Sequence, residues 1–109
     1  MTAGELSKIC GFKPITLPSP EREVSGCYMG DLLSWVMGRA KADDAWITIM
    51  SNQNVIAVAS LADISCVIFA EGVAPDEEIL ILAREKEVNL LSSSLPAYET
   101  AKMLFSVLK

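Results

Sequence analysis

The residues with the clearest chemical potential form a neutral polar cluster, Ser51-Asn52-Gln53-Asn54, set between the apolar runs Trp46 to Met50 and Val55 to Leu61. Hydroxyl and amide groups at the start of a helix, together with its unpaired first-turn N–H groups, suit an anion or the edge of a nucleotide base. Ser and Asn are also the preferred N-cap residues, so a plain cap and turn is the competing reading of the same four residues. Two further turns follow apolar runs, Gly30-Asp31 and Glu71 to Ala74. Parallel α/β sheets bind ligands at the carboxyl ends of their strands. On that rule the candidate ligand-binding residues are Gly30, Asp31, Ser51, Asn52, Gln53, Asn54 and Gly72. Ser92-Ser93-Ser94 marks a fourth such turn, where small polar residues serve as ordinary βα connectors. Gly72 supplies a positive φ angle or a close backbone approach.

Catalytic constellations are missing. The chain has no histidine, no GxxxxGK[ST] phosphate loop and no GxGxxG, and none of its cysteines has an activating neighbour in sequence. Asp43-Asp44 offers a cation contact, but adjacent acids in a turn are expected to be solvated. Cys10, Cys27 and Cys66 are odd in number, widely spaced and set in apolar sequence, which predicts buried thiols with no disulfide and no metal cluster. Trp35 and Trp46 are expected as core or interface anchors. Neither a catalytic residue nor a cofactor is expected.

These turns need strands and helices to hold them. Trp46 to Met50 and Cys66 to Phe69 are short, rich in Ile and Val and apolar on both faces, as in a covered parallel sheet. Asn54 to Ile64 reads as a crossover helix with Ser51 or Asn52 as N-cap, although Val55 to Ala59 alone also fits a strand. Upstream, Thr2 and Glu5 have capping-box spacing, with Leu6, Ile9 and Cys10 as the apolar face of a first helix that Gly11 ends. Lys13 to Leu17 is a short extended segment, and Pro18-Ser19-Pro20 an exposed turn. Val24 to Met29 reads as a strand, and Leu32, Leu33, Val36, Met37 and Ala40 as a helix face starting near Asp31. Pro75 and Asp76-Glu77-Glu78 open the next helix, and Arg84 and Lys86 close it. Val88 to Leu91 is a further strand, and Tyr98, Ala101, Leu104, Phe105 and Leu108 form the expected inner face of the last helix. Alternating strands and helices predict an α/β fold, a three-layer αβα sandwich around a small, mostly parallel sheet. At 109 residues this is one domain, with residues 1–22 as an N-terminal helix and extended segment and 23–109 as βα units.

The charge balance narrows the partners. A net charge of −5 with no basic stripe argues against nucleic acid. No apolar run approaches the roughly 18–20 residues that span a bilayer, and the N-terminus lacks a basic and apolar leader, so a cytoplasmic protein without a membrane partner is expected. Half the residues are apolar (51%) and only 21% are charged, which leaves an apolar face for a second copy, through the last helix or the Asp31 to Ala40 helix.

From about Glu23 to Leu108 the chain resembles the stand-alone DRTGG-domain proteins of bacteria. The resemblance is carried by Gly30-Asp31-Leu32-Leu33-Ser34, Trp46-Ile47-Thr48-Ile49, Asn54 to Leu61, and Gly72 with Pro75 before an acidic helix start. The wider family places a GDR-type turn before the central helix and a TGG turn after the next strand. The matching positions are Asn52 to Asn54 and Ala70-Glu71-Gly72, so only the last glycine of the name-giving motif is kept. The resemblance implies a homodimeric regulatory module, of the kind found alone, beside CBS domains in pyrophosphatases and in phosphotransacetylases, and similar to the N-terminal domain of HPr kinase/phosphorylase. A kinase activity does not follow, since the phosphate loop and a kinase domain are both missing from the 109 residues. Two functions are expected from this reading. The first is a sensor domain for a small anionic or nucleotide-like ligand, a nucleotide or phosphorylated metabolite. The alternative is a protein-interaction module with a protein partner and no small-molecule ligand.

Overall fold

Two strands of the chain are buried on both faces, and the architecture follows from covering them. The computed structural model describes residues 1–108. In β3 (Asp44–Thr48) and β4 (Cys66–Phe69) every residue is buried. They lie in a five-stranded sheet ordered β1-β5-β4-β3-β2, with β1 spanning Lys13–Thr16, β2 Gly26–Met29 and β5 Asn89–Ser92. Strands β2 to β5 are mutually parallel and in register, and β1 runs antiparallel to β5. The sandwich predicted from sequence is the one observed.

Because β2, β3, β4 and β5 are neighbours in chain order, crossovers of one hand place their helices on one face. Helices α2 (Leu33–Arg39), α3 (Gln53–Leu61) and α4 (Glu77–Glu85) accordingly pack together over Trp46, Val67, Phe69 and Leu90. The other face, with Ala45, Ile47, Cys66, Ile68 and Leu91, is covered by α1 (Ala3–Cys10) and α5 (Ala97–Val107). Asn54 to Ile64 is thus a crossover helix and not a strand, ending a little before its expected limit. Its length exceeds one strand, and Asn52 caps it by accepting from the Asn54 N–H at 2.9 Å.

The N-terminal signals are realised as read. Thr2 Oγ1 accepts from the Glu5 N–H at 3.1 Å while Glu5 Oε1 accepts from the Thr2 N–H at 2.9 Å, and Gly11 ends α1 at φ 70°. Several side chains depart from expectation. Ile9 is exposed, the inner face of α1 being Ala3, Leu6, Ser7 and Cys10. On α2 only Val36 is fully buried, with Leu32, Trp35 and Met37 exposed, because this short helix lies over the outermost strands of the sheet. The inner face of α5 is rotated from the one predicted. Thr100 and Leu104 are buried, whereas Tyr98 and Phe105 are 70% and 82% exposed. Thr100 can turn inward because its hydroxyl meets Ser93 Oγ at 2.7 Å, so a polar residue takes a core position that apolar counting gave to an aromatic.

Asp43 and Asp44 are not a solvated pair. Asp44 opens β3 buried, its Oδ2 accepting from the Lys41 N–H at 2.9 Å, and Asp43 meets Arg22 at 3.2 Å. Cys27 differs from the other two cysteines in being exposed. It sits on β2, an edge strand, where partial desolvation by its neighbours, and secondarily Asp44, still push the thiol up to about 12. Burial pushes the Cys66 thiol to about 12 as well. Among the described residues no helix is long and apolar enough to cross a membrane.

The N-terminal segment is tied to the sheet by a buried amide. Asn89, wholly buried, accepts from the Ser19 N–H at 2.9 Å and donates to the carbonyls of Ser19 at 2.7 Å and Ser65 at 3.0 Å. The Pro18-Ser19-Pro20 turn is therefore half-buried through Ser19, not freely exposed. Removing this amide strands several polar groups. Asn89→Ala is expected to cost about 3 kcal/mol, read as a lower urea midpoint at unchanged m-value.

Candidate functional site

The three turns named from sequence follow β2, β3 and β4, which are adjacent strands, so they line up along one end of the sheet in the order Gly72, Ser51 to Asn54, Gly30-Asp31. Two of them are joined by hydrogen bonds around β3. The Gly30 N–H donates to the Ile47 carbonyl at 3.1 Å, and the Gly30 carbonyl accepts from Trp46 Nε1 at 2.8 Å. Asp31 Oδ1 then accepts from Thr48 Oγ1 at 2.6 Å and from the Ile49 N–H at 2.9 Å. Asp31 was expected at the start of α2. It turns instead toward β3, and Leu32 takes the cap position without a side-chain hydrogen bond.

Thr48 is the site residue that sequence reasoning passed over. Its only signal was a hydroxyl in an otherwise apolar strand, Trp46-Ile47-Thr48-Ile49. In the fold that hydroxyl donates to Asp31 and accepts from the Met50 N–H at 3.2 Å, fixing the course of the chain into the Ser51 to Asn54 turn. Ser51 is half-buried, and Asn52, Gln53 and Asn54 are exposed at the start of α3. Beside them stand exposed apolar side chains, Leu32 and Ile49, with Trp35 on α2 stacked under the Arg39 guanidinium at 3.7 Å. Trp46 is the core anchor expected and Trp35 is not in the core.

Gly72 stands apart from this cluster. The loops after β4 and β5 leave for opposite faces, α4 covering one and α5 the other, which is where an open α/β sheet leaves a crevice. Here the two loops are joined across it. The Glu71 N–H donates to the Leu95 carbonyl, the Gly72 N–H to the Ser93 carbonyl, and the Ser93 N–H to the Phe69 carbonyl, each at 2.8 Å. These backbone donors of the loops are consumed within the protein. Hollows open elsewhere, one of about 640 Å³ beside Met1, Glu5 and Val107 and one of about 430 Å³ between β2 and α5. Among the described residues no group of three or more acidic or sulfur side chains converges as a metal site.

A family model described as the DRTGG domain matches residues 27–107 of the 109. The chain belongs to the DRTGG domain family. A solved structure of the CBS and DRTGG domains of the regulatory region of Clostridium perfringens pyrophosphatase, complexed with the activator diadenosine tetraphosphate, matches with a TM-score of 0.74 at 11% identity. The match covers 94% of this chain and 45% of that one, so this DRTGG domain spans less than half of its neighbour, and at that identity the likeness is one of fold. No curated protein matches the sequence.

The backbone of the Ala70-Glu71-Gly72 turn carries strain of its own. Glu71 has φ 61° and Gly72 φ 70°, so the last two positions of the turn are both left-handed. An L side chain there costs roughly 1–2 kcal/mol, so Gly72 suits its position and Glu71 is strained at its own. Glu71→Gly is expected to stabilise the fold by up to about 1 kcal/mol, the relief of strain being partly offset by glycine's greater freedom in the unfolded chain. Gly72→Ala should destabilise by about 1 kcal/mol or more. Thermal unfolding of the two variants should show melting points on opposite sides of the parent.

Proposed function

We propose that this DRTGG domain is a non-catalytic regulatory module of the cytoplasm, homodimeric, that binds a small anionic or nucleotide-like ligand at the turns after β2 and β3. The observation carrying the reading is the fold likeness to a regulatory region that was crystallised with a nucleotide activator. The local chemistry supports a division of labour. At the start of α3 the amides of Asn52, Gln53 and Asn54 and the N-terminal end of the helix dipole suit a phosphate or another anion. Asp31 does not suit an anion. Its Oδ1 is engaged by Thr48 and Ile49, and its Oδ2 is left to accept from a hydroxyl or amino group, as a ribose or base edge would offer. Gly72 enters this reading only as a backbone support, because its N–H is already bound to Ser93.

A protein-interaction module without a small ligand is the second reading, favoured by exposed Leu32, Trp35 and Ile49 beside the same turns. A thermal-shift screen of nucleotides and phosphorylated metabolites separates the two. A ligand at about 100 times its dissociation constant stabilises by roughly 2.7 kcal/mol, a rise of several degrees for a domain of this size. The Asn52→Ala/Asn54→Ala double variant should stay folded by circular dichroism and lose most of that rise. Unchanged binding by the double variant puts the site elsewhere, and a screen without any rise discards the ligand in favour of the interaction module.

A further inference from the structure

The two edges of the sheet are built differently. Edge β1 carries Lys13 and Pro14, and its pairing with β5 is broken by a register shift between Pro14 and Thr16. A lysine, a proline and a bulge are the devices by which natural sheets stop an edge from pairing further. The opposite edge, β2, has none of them. Its sequence Gly26-Cys27-Tyr28-Met29 is uncharged and free of proline, and it pairs with β3 without irregularity.

The backbone of that edge is unoccupied in a definite pattern. The Gly30 N–H points to β3, where it meets the Ile47 carbonyl. Successive residues of a strand point their N–H and C=O groups to alternate sides. Gly26 and Tyr28 therefore face β3, and the N–H and C=O of both Cys27 and Met29 face outward, without a partner among the described residues. Hollows open on both sides of the strand, one shared with Ala101, Phe105 and Leu108 of the α5 face and one with Arg39 and Lys41 of the α2 face.

We propose that β2 pairs antiparallel with β2 of a second copy, the two-fold axis passing beside Tyr28, to form one continuous ten-stranded sheet. The proposal rests on the dimeric part of the function above and names the surface that makes the dimer. In this register Cys27 of each copy lies opposite Met29 of the other, and all four outward groups of each strand are satisfied at once. Asp44, at the amino end of β2 beside Arg39 and Lys41, is buried and held by the Lys41 N–H, so it does not bar the approach of a second strand. A stable interface needs about 800 Å² from each partner. Strand pairing alone gives less, and Phe105, 82% exposed, and Met29, 50% exposed, flank the edge to supply apolar area.

Light scattering at micromolar concentration should give the wild type a mass twice 11.8 kDa. Cys27→Pro deletes an outward N–H without touching a bond to β3, a position where an edge strand tolerates proline, and should bring the mass to that of one chain. Met29→Lys, at an exposed position, is the second variant should the first fail to fold by circular dichroism, and the same fall in mass is expected. For the register, Tyr28→Cys in a Cys27→Ser background should form an intermolecular disulfide on oxidation. Directly opposed residues of this kind lie about 4.5 Å apart, whereas Cys27 and its own copy lie beyond the roughly 7 Å that a disulfide can bridge, so the wild type should not cross-link. A wild-type monomer overturns both the dimer and the edge pairing. A dimer that survives both edge variants overturns the edge alone and leaves the dimeric reading in place, and cross-linking through wild-type Cys27 overturns the register.

Discussion

Burial of β3 and β4 on both faces is the constraint from which the rest of the structure follows. Every side chain from Asp44 to Thr48 and from Cys66 to Phe69 is removed from water, so neither face of the sheet can be left bare. One layer of helices would cover only half of these residues. The consecutive order of the parallel strands sends α2, α3 and α4 to one side, and the other side has to be covered by the two ends of the chain, α1 and α5. The N-terminal helix is thereby part of the core. Leu6 and Cys10 of α1 join Ile47, Cys66 and Ile68 in one apolar cluster.

Bringing the chain ends back has a cost in polar groups, and the structure meets it with specific side chains. The segment leading from β1 to β2 passes the amino end of the sheet, where Asn89 replaces the hydrogen bonds that Ser19 and Ser65 would otherwise lose to burial. Arg22 holds the turns before β3 and β4, reaching Asp43 at 3.2 Å and Asp63 at 2.7 Å. Exposed ion pairs of this kind stabilise little, and Arg22 matters more as a geometric tie whose guanidinium also donates to the Asp63 carbonyl. At the carboxyl end, the change of face between α4 and α5 is closed by the joined loops of β4 and β5. The same closure that secures the fold consumes the N–H groups of Glu71 and Gly72.

The turns after β2 and β3 carry exposed polar groups on a frame that is itself hydrogen-bonded. Asp31, Thr48 and the backbone of Ile49 form a hydrogen-bonded unit that fixes two loops to one strand, and the amides at the start of α3 are free of the core. A ligand contacting both turns would meet a preformed surface. Leu32, Trp35 and Ile49 give that surface an apolar margin, on which a base or a partner protein could rest.

Much of this was legible in the sequence because it rests on local rules. The Thr2–Glu5 capping box, the glycine that ends α1, the apolar runs of β3 and β4, the acidic start of α4 and the Asn52 cap each depend on residues within a few positions of one another. The run of βα units and the DRTGG resemblance were equally readable, since alternation and motif spacing survive in one dimension. Tertiary structure decided whatever depended on partners distant in sequence. It turned Asp31 away from α2 and toward Thr48, buried Asp44, rotated α5 so that Thr100 meets Ser93 and Phe105 faces out, and left Cys27 on a sheet edge. None of these follows from periodicity, because a polar residue enters a core only when the fold supplies its hydrogen-bond partner, and a strand is an edge only when nothing else pairs with it.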